Sequence, residues 1–393
     1  MSMQRMRIPA ALMLMVWLLM TGSAAFASSP ADTIVRGQAE RLPTDQVESY
    51  WNQLMKEYGG YFPESRTPKF MDLLKPGENG FGLKSIGAAL GKFFLHEVLV
   101  GGKLLASIVI LTVFSMVLES LQGAFERNNV SKVAYAIAYL VLLLIAVNSF
   151  SVAIGYAKSA ITSMIHFMIA MIPLLLAMLG AMGNIASVAV LHPLIIFMIH
   201  TVGTLIYTVV FPLLFFSAIL HIVSSISDKY KVTQLANLLR RIGVTLLGIM
   251  VTVFLGVISV QGGTGAVTDG VTIRTAKYVA SNFVPVVGRL FTDASDTVIG
   301  ASLLVKNAVG IAGVIIIVFL CAFPALKIMA LALIYNVAAA VMQPLGANPI
   351  TSCLATIGKS LVYVFAALAA VGFMFFLAVT IIITLGNVSV MMR

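Results

Sequence analysis

Apolar runs of about twenty residues recur along this chain, divided by short segments that hold its charges, and each is long enough to cross a bilayer as a helix. The plain ones are residues 104–121, 133–154, 164–182, 243–260 and 361–385. Two longer runs divide less readily. Residues 185–225 carry no charge but contain Pro193 and Pro212, and residues 310–342 are interrupted only by Pro324 and Lys327. Each reads as one long span, two spans, or a span with a broken segment. With an exported N-terminus, two passages through 185–225 bring Lys229, Lys231, Arg240 and Arg241 to the inside, as the positive-inside tendency prefers.

Ahead of the spans the pattern changes twice. Arg5 and Arg7, an apolar stretch over 10–20 and the small-x-small site Ala25-Phe26-Ala27 form a signal peptide over 1–27, with cleavage after Ala27. An exported segment, residues 28–100, follows. Within it Val47, Tyr50, Trp51, Leu54 and Tyr58 share one face of a short helix that Gly59-Gly60 ends. That helix is too small for a core of its own, so it docks on a partner or on the membrane domain, unless it belongs to a disordered tail. Over 81–100, Leu83, Ile86, Leu90, Phe93 and Phe94 recur at helical spacing with Lys84 and Lys92 elsewhere on the wheel, which predicts an amphipathic helix in the membrane interface.

The membrane domain, residues 101–393, repeats itself. Ile172-Pro173 is followed 39 residues later by Phe211-Pro212, and Val284-Pro285 is followed 39 residues later by Phe323-Pro324. Both ends share an offset of 112, and Asn184 then falls on Asp296. Repeats at about 157–260 and 276–386 result. Duplicated membrane folds frame pathways with interrupted helices, and proline interrupts by removing an amide donor. Pro173, Asn184, Pro212, Pro285, Asp293, Asp296 and Pro324 are therefore the candidate pathway or helix-break residues. The plainer reading puts Asp293 and Asp296 on a water-exposed stretch over 264–297. The contrast between the basic 229–241 loop and its sparsely charged counterpart hints at inverted repeats.

Composition fits lipid as the solvent. Of 393 residues 60% are hydrophobic and 10% charged, against about 25% charged in ordinary soluble domains. The net charge of +10 is scattered beside apolar runs, as topology-setting charges are, and forms no nucleic-acid motif. Cys321 and Cys353 lack the spacing of a metal or redox pair and read as small buried apolar residues. The chain has no phosphate loop, nucleophile elbow or paired catalytic carboxylates, and its histidines are dispersed singly, so no catalytic, cofactor or metal set is expected. The fold expected is an all-α polytopic membrane protein, a helical bundle with an internal duplication behind a signal peptide and a short exported helical segment.

These features, with Glu48-Ser-Tyr-Trp in the exported segment and the run 282–302 around Pro285, Arg289, Asp293 and Asp296, resemble the stage III sporulation protein AE family of endospore-forming bacteria. The resemblance implies a multi-pass protein of the mother-cell-derived membrane around the forespore, and no enzyme. It implies a membrane-embedded part of the mother cell–forespore channel, or feeding, apparatus needed for endospore development. The alternative is a non-conducting scaffold for assembly of that complex. The implied partners are the other stage III sporulation A-operon proteins, including the ATPase and the ring-forming members, stage II sporulation protein Q across the intermembrane space, and membrane lipids.

Overall fold

The computed structural model describes residues 44–62, 70, 73, 83–124, 129–226, 232–283, 287–345 and 349–391. The expected signal peptide, Pro285, and the side chains of Asp293 and Glu119 lie outside the described residues. Among those described there is no strand.

The chain folds as helices α1 (Asp45–Tyr58), α2 (Leu83–Val100), α3 (Gly102–Ala124), α4 (Asn129–Ala181) and α5 (Ile185–Leu205). A π turn (Ile206–Val210) leads into α6 (Phe211–Ile226), then come α7 (Thr233–Phe283), α8 (Val287–Met342) and α9 (Pro349–Met391). Six stretches are long and apolar enough to cross a membrane: Lys84–Leu118, Ala136–Ala181, Ile185–Ser224, Thr233–Val279, Asp296–Met342 and Pro349–Met391. An all-α polytopic fold is thus what the sequence folds into.

Length is where expectation and structure part. The 53 residues of α4 join the two spans expected at 133–154 and 164–182 into one rod, about 80 Å long at 1.5 Å per residue. A bilayer core is about 30 Å thick. Gly155, Lys158 and Ser159 mark a polar girdle rather than a loop, because helix keeps every backbone amide paired while Lys158 stays exposed. Ile185–Ser224 likewise forms one stretch long and apolar enough to cross, where two passages were expected. Fusing the two runs in α4 removes one crossing from the count, so a single passage meets the same positive-inside preference.

Helix α9 is the axis of the bundle, touching α4, α6, α7 and α8. Its buried positions run around most of its circumference, as an all-round apolar helix requires. Helices α8 and α9 are antiparallel, with Asn336 beside Gly358 and Ile383 beside Gly310. Helices α7 and α9 are parallel: Arg240 lies over the Tyr363 ring at 4.8 Å and Phe254 meets Phe375. The two segments aligned as repeats therefore run in the same sense, and the hint of inversion does not hold. Single cysteines at Arg240 and Lys359 are expected to react with an impermeant maleimide from the same side of the membrane. Opposite-side labelling would contradict the α7–α9 pairing.

The amphipathic helix expected to lie in the interface instead packs lengthwise on α8. Phe93 meets Phe323 edge-on, and Glu97 pairs with Lys327 at 3.6 Å. At Gly101 the helical hydrogen bonds continue, from Gly101 N–H to Glu97 C=O and from Leu105 N–H to Gly101 C=O, so α2 leads directly into α3.

Candidate functional site: a clasped cavity and a buried polar junction

The short helix α1 docks on the bundle. Val47, Trp51 and Leu54 are buried, Tyr50 meets Phe167 of α4, and Tyr58 stacks on Phe323 of α8 with ring centroids 3.9 Å apart. This is the face read from the sequence. Burial, followed by a hydrogen bond to Glu57, pushes the Tyr58 phenol up, so it stays neutral and stacks without charge. Under α1 lies a cavity of about 260 Å³ lined by Gln53, Tyr156, Ser159, Ser163, Leu320 and Pro324, among others. Proline at 324 leaves the carbonyl four residues back, at Leu320, without its helical donor. Such a break is tolerated only against protein or water, and here both residues face polar side chains.

Pro173 and Pro212 lie elsewhere in the bundle. Pro173 sits inside unbroken α4. Pro212 opens α6 directly after the π turn, where Phe211 N–H reaches back to Ile206 C=O in an i→i−5 bond. The widened turn relieves the clash that a proline ring makes with the carbonyl one turn earlier. Tyr207 in that turn is tied to α4 by a 2.7 Å hydrogen bond with Thr162. Pro285 falls between α7 and α8, outside the described residues.

At the α4–α5 turn the polar groups converge. Gly183 takes a φ of 86°, the left-handed region, and ends α4 with Gly183 N–H on Gly180 C=O and Asn184 N–H on Leu179 C=O. Asn184 caps α5 by position but makes no side-chain cap bond. The cap comes from α7 instead. Ala186 N–H donates to Asp269 Oδ1 and Ser187 N–H to Asp269 Oδ2, both at 2.9 Å. A carboxylate belongs there, since the first N–H groups of a helix lack partners and carry its positive dipole end. Gly265, one turn earlier, permits the approach: a Cβ there would stand 3.0 Å from Ser187 Cα.

The freed Asn184 side chain turns to α9, where Ser389 donates a hydrogen bond to its Oδ1. Both residues are buried, and Asn184 Nδ2 and Ser187 Oγ find no partner among the described residues. Nearby, Lys306 of α8 is fully buried and donates to Ile383 C=O at 2.7 Å, with Asn387 Oδ1 at 3.5 Å. An ammonium held by one carbonyl and an amide, with no carboxylate partner among the described residues, is costly. An ionisable group inside an apolar bundle is a functional candidate for that reason.

Of the residues read from the sequence, the structure brings Asn184 into this junction and Pro324 to the cavity. It sets Asp296 apart: Asp296 is exposed and pairs with Lys277. The stretch expected to be water-exposed over 264–297 does hold Asp296, yet it also supplies the buried Asp269. Sequence reading missed Asp269, Lys306 and Ser389. Lys306 alone left a signal, as a single cation amid apolar residues.

Lys306→Met is expected to leave cellular protein levels unchanged or higher, since it removes a buried charge that costs several kcal/mol. If Lys306 acts in function, spore yield falls at least tenfold at that normal protein level. Normal spore yield would reduce Lys306 to a packing residue.

The family model for stage III sporulation protein AE (spore_III_AE) matches residues 66–386. The chain belongs to this family. It is 52% identical to stage III sporulation protein AE of Bacillus subtilis (strain 168) over 363 residues, covering 92% of this chain and 91% of that protein. No solved structure matches. A role in sporulation follows from membership, in a protein whose six long apolar helices mark it as multi-pass. The family is described by a stage of sporulation and by no reaction. Among the described residues, no three His, Cys, Asp or Glu side chains gather as a metal site would need.

Proposed function

We propose that this protein is the membrane-embedded component of the channel apparatus between mother cell and forespore, exported by its N-terminal signal and inserted in the mother-cell-derived membrane. The observation that carries this reading is the length of the bundle in a stage III sporulation protein. Helices of 51, 56 and 43 residues reach about 65 to 85 Å, roughly two to three times a bilayer core. A bundle of that length extends past the membrane to where the ATPase, the ring-forming proteins and stage II sporulation protein Q would be met.

Depleting the chain after engulfment is expected to stop late forespore gene expression, and wild-type protein to restore it. Full late expression in depleted cells would sink the proposal.

A non-conducting scaffold is favoured by one observation. Met164, Met168, Met171, Leu368, Val371 and Phe375 are fully buried and fill the centre of the bundle. Any conducted route then runs between this chain and its neighbours. Solute flux through liposomes holding only this chain, above that of empty vesicles, would exclude the scaffold.

A further inference from the structure

On the side of α8 away from α1, a second and larger cavity of about 660 Å³ opens between α2, α8 and α9. Its walls are apolar: Leu90 and Phe94 of α2, Cys321 and Leu326 of α8, Phe365 and Phe376 of α9. It is a slot, kept open by small residues such as Gly91, Ala322, Ala325 and Ala369.

Three observations say what fits it. The α9 residues lining it span Phe365 to Phe376, or about 16 Å of helix. That is about half of a bilayer core roughly 30 Å thick, the reach of one acyl chain. Such a chain is also thin enough for the slot. Next, the slot is continuous with the least covered of the six spans, Lys84–Leu118, only 17% buried in its most apolar window. Leu95, Leu99, Ile110 and Phe114 continue outward-facing from it along α2 and α3. Last, one lane leads out of the slot in the opposite direction. On the α2 face shared with Gly91, one and two turns back, stand Gly87 and Ala88 and then exposed Lys84. A Cβ added at Gly87 or Gly91 would meet nothing within 4 Å.

We propose that this slot is a phospholipid site, holding one acyl chain between α2, α8 and α9 with an anionic phosphate headgroup at Lys84. The ammonium supplies the charge complement to the phosphate, the glycine lane gives the glycerol backbone its passage, and the apolar walls take the chain.

The test uses the full-length protein extracted into polymer nanodiscs from membranes containing phosphatidylglycerol, then exchanged into detergent and examined by native mass spectrometry. Wild type is expected to retain about one phosphatidylglycerol per chain. Gly91→Phe fills the slot from a position with room for a side chain and is expected to lower retention at least tenfold. Lys84→Glu is expected to lower phosphatidylglycerol retention at least fivefold while leaving the fold unchanged. Unaltered melting temperature and elution volume in both variants exclude misfolding as the cause. A phosphatidylglycerol bearing a photoreactive group midway along its chain is expected to label peptides from α2, α8 and α9. Equal retention by wild type and Gly91→Phe, or labelling confined to other helices, would overturn the site. Retention indifferent to Lys84→Glu would overturn the headgroup assignment and with it the proposal.

Discussion

Asp269→Ala will be the most damaging single substitution in the polar junction, lowering stability by about 2–5 kcal/mol. The figure comes from two backbone N–H groups left without acceptors, the buried one of Ser187 at about 1–3 kcal/mol and the half-buried one of Ala186 at about 1–2. Both bonds are 2.9 Å long and link α7 to the start of α5, more than 80 positions away in sequence. Loss of the carboxylate also removes the anion that the positive end of α5 attracts. Thermal melting in detergent and protein abundance in sporulating cells read the effect. Asp269→Asn keeps an oxygen acceptor and is expected to fall between alanine and wild type. Were Asp269→Ala to melt with the wild-type protein, the cap from α7 would be no part of what holds the bundle.

Trp51→Ala will release α1 from the bundle while leaving the bundle folded. Trp51 is fully buried and packs against Phe319, and truncating a buried aromatic costs about 3–5 kcal/mol. Fourteen residues of helix have no other core to fall back on. The loss therefore appears locally, as a rise in amide hydrogen exchange over 45–58 of at least a hundredfold, with protection in α4, α8 and α9 retained. Exchange unchanged in α1 would mean that the tyrosine contacts suffice. Global loss of protection would mean instead that α1 is part of the folding core.

The legible part of this protein was legible because lipid is an intolerant solvent. Backbone groups there must be paired within the segment, so apolar runs had to be helices. The amphipathic face of α1 was equally clear, since Val47, Trp51 and Leu54 repeat at helical spacing and a short helix must bury such a face somewhere. What it would bury it against was not readable, because Phe167, Phe319 and Phe323 come from two distant helices.

Breaks were harder. The gap left between the spans at 133–154 and 164–182 holds Lys158, but one exposed lysine can stay solvated on a continuous helix, and α4 runs on. The prolines at 173 and 324 also left their helices unbroken. The real break at 182–184 needed Gly183 in a left-handed conformation, and nothing in its composition set it apart from the other glycines.

By itself, then, the sequence determined an all-α membrane protein of the stage III sporulation AE family and the inward face of α1, because solvent and period constrain each residue locally. Only the tertiary structure decided the fusion of two apolar runs into α4, the shared direction of α7 and α9, and the junction of Asp269, Asn184, Lys306 and Ser389. Those depend on which helix lies beside which. A buried polar group shows its role only once the partner that satisfies it, or fails to, has been placed against it.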